Sequence, residues 1–296
     1  MTRPDLALAG TAGQAWLAMR AAFREAGLES ADLDARLLAS RVMEMEPHQL
    51  MTGADTPLTT IQRQRLMQVA SQRLGGMPVH RILGAREFYG LVLGLSPATL
   101  EPRPDTETLI DAVLPFVRAT IAAKGSCSIA DLGIGTGAIG LALLAECREA
   151  RCLGVDVSED AVATATENAR SLGLSPRYTA RTGDWFAGID MRFDLIVSNP
   201  PYIPTADLAT LAREVIDHDP VLALDGGPDG LSAYREIAAQ APGRLEQGGL
   251  LALEIGTGQT DSVTALFAAC GFEPAGVVAD LAGVDRVLLF TCRGVR

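Results

Sequence analysis

Apolar residues recur at helical spacing along the first 75 positions. Trp16, Met19 and Phe23 share one helical face, and Thr11 with Gln14 three residues on has the form of a capping box. Leu33, Leu37, Leu38 and Val42 predict a second amphipathic segment. Thr56 followed by Pro57 predicts an N-cap with proline at the first helical position, opening a third helix through Ile61, Val69 and Leu74. Gly75, Gly76 and Pro78 then break the periodicity.

From Ile82 to Arg103 the period shortens. Glu87 to Leu93 predicts strand, turn, strand, and Pro97, Pro102 and Pro104 mark extended chain. Beyond it, helical and strand patterns alternate. A helix over Thr106–Ala122 precedes a strand over Ser128–Leu132 and a helix over Ala138–Glu149. Then come strand Cys152–Asp156, helix Glu159–Leu172, a weaker strand near Tyr178 and strand Phe193–Ser198. Leu250–Ile255 predicts another strand and Asp261–Ala269 a helix, with strands near Pro274–Val278 and Arg286–Thr291 at the end. Such alternation predicts an α/β fold around a mostly parallel sheet covered on both faces, with ligands at the carboxyl ends of its strands. The expected organisation is a helical domain over 1–76, a linker with a β-hairpin over 77–104, and the α/β domain over 105–296.

Composition narrows the function. Of 296 residues 48% are hydrophobic and 21% charged, ordinary for a soluble globular chain. The net charge of −11 falls wholly in residues 81–296, because residues 1–80 carry eight basic and eight acidic side chains. With a single lysine, Lys124, and no basic run, the chain is poorly equipped to neutralise phosphates, so no direct nucleic-acid partner is expected. The five cysteines form no CxxC pair, and the three histidines, His48, His80 and His218, are scattered. No metal site is expected, and the cysteine usage fits a reducing cytoplasm. The N-terminal residues lack a signal-peptide pattern, and no run has the length to cross a membrane.

Candidate chemistry lies at the strand ends. Asp131-Leu132-Gly133-Ile134-Gly135-Thr136-Gly137 falls where the first strand of the α/β region turns into its helix. Glycines there allow a tight turn and close approach of a ligand, and the helix N-terminus beyond presents free N–H groups to an anion. Gly135, Gly137 and Gly140 also satisfy GxGxxG, with Asp156 placed as a ribose-binding acid, so a nicotinamide-dependent oxidoreductase competes at this step. Asp131 ahead of the glycines instead resembles the DxGxGxG loop of methyltransferases. In that form the anion is a methionine carboxylate, and Asp156 takes the ribose hydroxyls.

The motif Asn199-Pro200-Pro201-Tyr202 directly follows an apolar strand. An amide nitrogen is a poor nucleophile, so an enzyme that methylates it must orient and polarise it. The Asn199 side-chain oxygen and the Pro200 carbonyl can accept both protons of an NH₂ group, with the carbonyl fixed by two successive prolines. Tyr202 can pack on a planar acceptor. Asp184-Trp185 offers a stacking ring and a polar group for an adenine. Glu254, ending its strand, is a candidate for the cleft or for a structural part.

These segments together resemble the release factor glutamine methyltransferases. The resemblance runs through Pro78-Val79-His80-Arg81-Ile82-Leu83-Gly84, Glu87-Phe88-Tyr89-Gly90 and Glu101-Pro102-Arg103-Pro104-Asp105-Thr106-Glu107-Thr108. It continues through the glycine loop, Asp156, Asp184-Trp185 and Asn199 to Ile203. Ala223 to Gly227 with Asp229 to Leu231, and Asp280 to Gly283 with Asp285-Arg286, complete it. Asp105, where glutamate is frequent, and Glu101, where an apolar residue is frequent, depart from the family's common form.

The resemblance implies a Rossmann-like class I S-adenosylmethionine methyltransferase domain with a mostly parallel seven-stranded sheet, preceded by a helical bundle and a β-hairpin linker. Gly133, Ile134, Gly135, Thr136, Gly137, Asp156, Asp184, Trp185 and Asn199 would contact S-adenosylmethionine. Asn199, Pro200, Pro201 and Tyr202 would hold the acceptor, with Asn199, Pro200 and Tyr202 as the catalytic set. The implied substrate is the glutamine of the Gly-Gly-Gln motif in class-1 peptide chain release factors, docked with help from the helical domain by a monomeric enzyme. Alternatives are the same reaction on a ribosomal protein, base methylation in nucleic acid, and a cofactor-binding adaptor without catalysis.

Overall fold

The computed structural model describes residues 9–292. The chain divides at Gly84 into two compact units, residues 1–84 and 85–296.

The first unit is helical: α1 (Ala12–Glu25), α2 (Ala31–Met43), α3 (Gln49–Thr52), α4 (Thr60–Leu74) and α5 (Val79–Leu83). Thr11 caps α1 by accepting from the Gln14 N–H, but the Gln14 side chain reaches Gly10 N rather than Thr11, so only half of the expected capping box forms. Met19 and Phe23 are buried as expected, whereas Trp16 is half-buried beneath the Arg20 guanidinium. In α2 the inward face is turned from the expected leucine stripe: Leu33 is exposed, while Ala31, Asp34, Ala35, Leu38, Ala39 and Met43 are buried. The turn brings Asp34 to Arg73 of α4 in a buried ion pair at 2.6 Å, with small alanines permitting close helix packing. The third expected helix starts later than Thr56-Pro57. Thr59 and Gln62 form a complete capping box at its N-terminus, while Pro57 bridges to Thr11 and Ile61 faces solvent.

The segment expected as a linker is split between the units. Its first part forms α5, and Gly84 ends that helix with φ 70°. Its second part is a hairpin of β1 (Ala85–Phe88) and β2 (Leu91–Gly94), closed by Tyr89 and Gly90, both at positive φ. Two positive φ values suit the twist of a two-residue hairpin turn. Phe88 and Leu93 are buried in the core of the second unit against α6 (Glu107–Lys124).

After α6 the chain runs β3 (Cys127–Leu132), α7 (Ala138–Glu146), β4 (Ala150–Asp156), α8 (Glu159–Ser171), β5 (Tyr178–Thr182) and β6 (Phe193–Ser198). It continues through α9 (Arg213–His218), α10 (Ser232–Gln240), β7 (Leu245–Glu254), α11 (Thr260–Ala269), β8 (Phe272–Ala279) and β9 (Asp285–Cys292). The sheet has seven strands in the order β5-β4-β3-β6-β7-β9-β8. The first five are parallel; β9 is antiparallel to both β7 and β8. That insertion departs from an all-parallel dinucleotide-binding sheet. One apolar cluster lies on each face: α6, α7 and α8 cover Ile129, Cys152, Leu195 and Ala252, while α10 and α11 cover Ala130, Ile196, Leu251 and Phe290.

Chain order reverses between β3 and β6, which opens a crevice at their carboxyl ends. Asn168 of α8 joins the hairpin to this region. Its Oδ1 accepts from Gly94 N at 2.8 Å, and its Nδ2 donates to Gly94 O at 3.1 Å and Thr136 O at 2.9 Å.

Candidate active site

A cavity of about 390 Å³ occupies that crevice, within the range for small-molecule sites. Of the residues singled out from sequence, Gly133, Ile134, Gly135, Thr136, Asp156, Asp184, Trp185, Asn199 and Pro201 line it. Gly137, Pro200 and Tyr202 are not among the lining residues.

The loop after β3 is built for close approach. Gly133, Gly135 and Gly137 have φ of 69°, 51° and 81°, values that other residues adopt only at a cost. A Cβ at Gly133 or Gly135 would meet no protein atom within 4 Å, so both backbones face open space. Gly137 begins α7, and its Cβ position is closed off by the Tyr178 hydroxyl, Leu141 and Ala165. Asp156 at the end of β4 secures the loop: Oδ2 accepts from Gly135 N and Oδ1 from Ser158 N, each at 2.9 Å.

Asp131 is buried beneath this loop. Oδ2 accepts from Gly140 N at 2.9 Å, and Oδ1 has no hydrogen-bond partner. Burial raises its pKa to about 7; the Gly140 bond opposes the rise, and the Asp156 charge adds to it. Trp185, at φ 48°, reaches the cavity on one side and packs against the β-sheet core on the other.

Opposite the glycine loop, β6 delivers Asn199, whose Nδ2 donates to Thr106 Oγ1 at 3.2 Å. Thr106, just ahead of α6, also lines the cavity and is itself buried. Pro200 is buried. The Tyr202 ring lies against Gly256, and its hydroxyl is 3.5 Å from Glu254 Oε1. Burial and the Glu254 charge push the Tyr202 phenol up to about 12.

Glu254, at the end of β7, is buried with Oε2 lacking a hydrogen-bond partner. Burial raises its pKa to about 7, while the Thr106 hydroxyl and the Arg286 guanidinium favour the charged form.

The later segments quoted from sequence brace this motif. Ile203 pairs with Asp225 in a parallel bridge, and Gly226 N donates to Ile203 O at 2.8 Å. Gln259 donates to Tyr202 O at 3.0 Å and Gly230 O at 3.3 Å. Asp280 holds Arg286 at 3.0 Å, and Arg286 donates to Ile255 O at 3.3 Å. Thr106 and Gln259 were not singled out as individual site residues, since each is a common polar residue with no spacing signal of its own. Among the described residues, no group of three or more His, Cys, Asp or Glu side chains could hold a metal ion, and no helix is long and apolar enough to cross a membrane.

The cavity thus brings the glycine loop, Asp156, the Trp185 ring and the Asn199 side-chain amide onto one surface. Residues 14–84 match the PrmC N-terminal domain and residues 109–227 the methyltransferase small domain. The release factor glutamine methyltransferase of Agrobacterium fabrum is 48% identical over 93% of this chain and 95% of its own length. Its namesake from Caulobacter vibrioides is 42% identical over 93% and 94%. Among solved structures, a methyltransferase from Pyrococcus furiosus shares the fold with TM-score 0.52 at 17% identity, covering 74% of this chain and 98% of that one. The hMettl16 catalytic domain in complex with the MAT2A 3′UTR hairpin 6 does so with TM-score 0.56 at 15% identity, over 77% and 83%.

Proposed function

The chain belongs to the release factor glutamine methyltransferases, and from that premise we propose that it methylates the Gly-Gly-Gln glutamine of class-1 peptide chain release factors through the site described above. Its C-terminal unit has the class I S-adenosylmethionine-dependent methyltransferase fold, and the reaction is methyl transfer from S-adenosylmethionine to a glutamine side-chain amide of a release factor.

The cavity suits that cofactor. The open space over Gly133 and Gly135 admits a ligand close to the loop and to the N-terminal end of α7, the free lone pairs of Asp156 can accept from ribose hydroxyls, and Trp185 offers a face to adenine. Asp184 beside Trp185 can meet the exocyclic amine. When bound, the cofactor supplies a methyl group already activated on a sulfonium.

The protein's task is then to present the nitrogen. The Asn199 Oδ1 accepts an amide proton at the cavity wall and aims the nitrogen at the methyl, while Pro201 of the same wall fixes the turn; the Pro200 carbonyl, expected as the second acceptor, belongs to a residue outside the lining. Tyr202 supports this wall, its ring on Gly256 and its carbonyl held by Gln259. The observation that carries this reading is the placement of Asn199 on the same cavity as the glycine loop.

The helical unit contributes to docking the release factor. The five cysteines are free thiols, in keeping with work in the cytoplasm. The test is methyl transfer from labelled S-adenosylmethionine to unmethylated release factor, with a Gly-Gly-Ala version as control and mass spectrometry to locate the methyl. Transfer confined to the Gly-Gly-Gln glutamine supports the reading; equal transfer to the control rejects it.

A further inference from the structure

Gln259 places an amide where local helix chemistry favours a different residue. It occupies the N-cap of α11, where Ser, Thr, Asp or Asn would satisfy a free N–H of the first turn, and its side chain makes no capping bond. Departures of this kind from local preference gather at functional sites. The side chain turns instead to the Asn-Pro-Pro-Tyr motif. Its Oε1 accepts from Gly256 N at 3.0 Å, which fixes the orientation of the amide and leaves both Nε2 protons for carbonyls. One goes to Tyr202 O at 3.0 Å and the other to Gly230 O at 3.3 Å. The Tyr234 hydroxyl, 3.5 Å from Oε1, has its proton on the nearer Glu254 O at 2.9 Å.

The chain closes tightly around this amide. A Cβ at Gly230 would overlap Tyr202 O and lie 2.8 Å from Gln259 Nε2. One at Gly256 would lie 2.9 Å from Gln259 Oε1 and 3.0 Å from the Tyr202 ring.

We propose that Gln259 is a positioning residue for methyl transfer: by holding the Tyr202 carbonyl it fixes the exit of the Asn-Pro-Pro-Tyr turn, and with it the place of Asn199 on the cavity wall. The proposal rests on the reading of Asn199 as an acceptor of the substrate amide. The rest of the turn is stiff. Pairing of Ser198 with Leu132 and Leu253 fixes its entry, and Pro200 and Pro201 lock two φ angles. A shift at Tyr202 is therefore passed back toward Asn199 rather than absorbed between them. Ile203 N donates to Leu224 O and accepts at its own carbonyl from Gly226 N, so the exit belongs to a short parallel pairing. Gln259 ties both sides of that pairing, Tyr202 and Gly230, to Gly256 just past the end of β7. It is not among the residues lining the cavity, so it acts through the turn and not on the cofactor.

The experiment measures release-factor methylation across pH, cofactor affinity by titration with S-adenosylhomocysteine, and urea midpoints for wild type, Gln259→Met and Gln259→Glu. Methionine matches glutamine in length and makes none of its hydrogen bonds. Gln259→Met should cut kcat by ~10–100-fold, the scale on which misplacing a reacting group costs rate, while the cofactor Kd keeps its wild-type value. Gln259→Glu retains an acceptor for Gly256 N, but when ionised it sets an oxygen against the Tyr202 and Gly230 carbonyls. Protonated, it can donate to Tyr202 O. Its kcat relative to wild type at the same pH should therefore rise as pH falls, whereas the ratio for Gln259→Met should not change with pH. A wild-type kcat in Gln259→Met overturns the proposal. So does a cofactor affinity that falls as far as kcat, which would mean that the residue only holds the fold of the site. If Gln259→Met fails to fold, Gln259→Glu decides alone, and a ratio flat across pH overturns the proposal. Absence of transfer by wild type at every pH rejects the substrate reading and the proposal with it, whereas failure of the variants' predictions alone leaves that reading intact.

Discussion

The Gly140 N–H donates to Asp131 Oδ2 across 2.9 Å, joining the first turn of α7 to the end of β3 directly beneath the glycine loop. The bond requires the helix to lie very close to the sheet. A Cβ at position 140 would meet Cys152 Sγ at 2.8 Å, Asp131 Oδ2 at 3.0 Å and the Tyr178 ring at 3.1 Å.

Gly140→Ala is therefore expected to lose ~1–3 kcal/mol of stability by overpacking. It should also weaken cofactor binding, because the glycine loop moves with the helix. Urea unfolding and cofactor titration on the same protein check both effects. Wild-type values in the two measurements would mean that the helix and sheet have slack at this contact.

Asp131 makes a pH prediction. Its folded-state pKa is about 7 against an ordinary value of 3.8, with burial as the main cause. Between those values the folded chain holds a proton that the unfolded chain has lost, so this group's contribution to stability falls as pH rises and levels off above about 7. Asn at this position can still accept from Gly140 but has no proton to lose. Asp131→Asn should thus gain stability relative to wild type as pH rises from 5 to 8, measured by urea midpoints. A difference independent of pH would contradict the assignment.

The centre of the sheet was readable from sequence because strands such as β6 are buried, mainly apolar runs at β-strand length, and β6 (Phe193–Ser198) has the expected limits. Helix α10 had no counterpart in that reading: Ser232–Gln240 sits among glycines and is held by tertiary burial of Tyr234 and Ile237. The helical unit was legible in kind but not in detail, since the Asp34–Arg73 ion pair turns α2 in a way that a hydrophobic stripe cannot reveal. The glycine loop and Asn199 were legible as motifs because special backbone geometry restricts residue type. Thr106 was quoted within a segment, but its role at the cavity depends on contacts 93 residues apart in sequence.

Asp156→Ala should separate binding from chemistry. Its two oxygens hold Gly135 N and Ser158 N, and its remaining lone pairs face the cavity. Losing hydrogen bonds to a charged group costs ~1.5–3 kcal/mol, or roughly 10–100-fold in cofactor Kd. Calorimetric titration with S-adenosylhomocysteine checks the Kd, and kcat at saturating cofactor should fall by less than the affinity does. A larger loss in kcat than in affinity would move Asp156 from binding into the reaction itself.

Asn199→Ala should do the opposite. Removing one preorganised hydrogen-bonding group from the reacting centre costs ~10²–10³ in rate, and the residue's half-buried position leaves the fold little dependent on it. Its unfolding midpoint should match wild type while kcat collapses; near wild-type turnover would sink the amide-presenting role. The double variant with Thr106→Val carries the argument one step further. Thr106 acts on the substrate only by way of Asn199, so once the asparagine amide is gone its hydroxyl has nothing left to orient. The two losses should then fail to add, the double variant matching Asn199→Ala alone, as expected for residues that share one hydrogen bond. Fully additive losses would mean that Thr106 reaches the reaction by a route of its own.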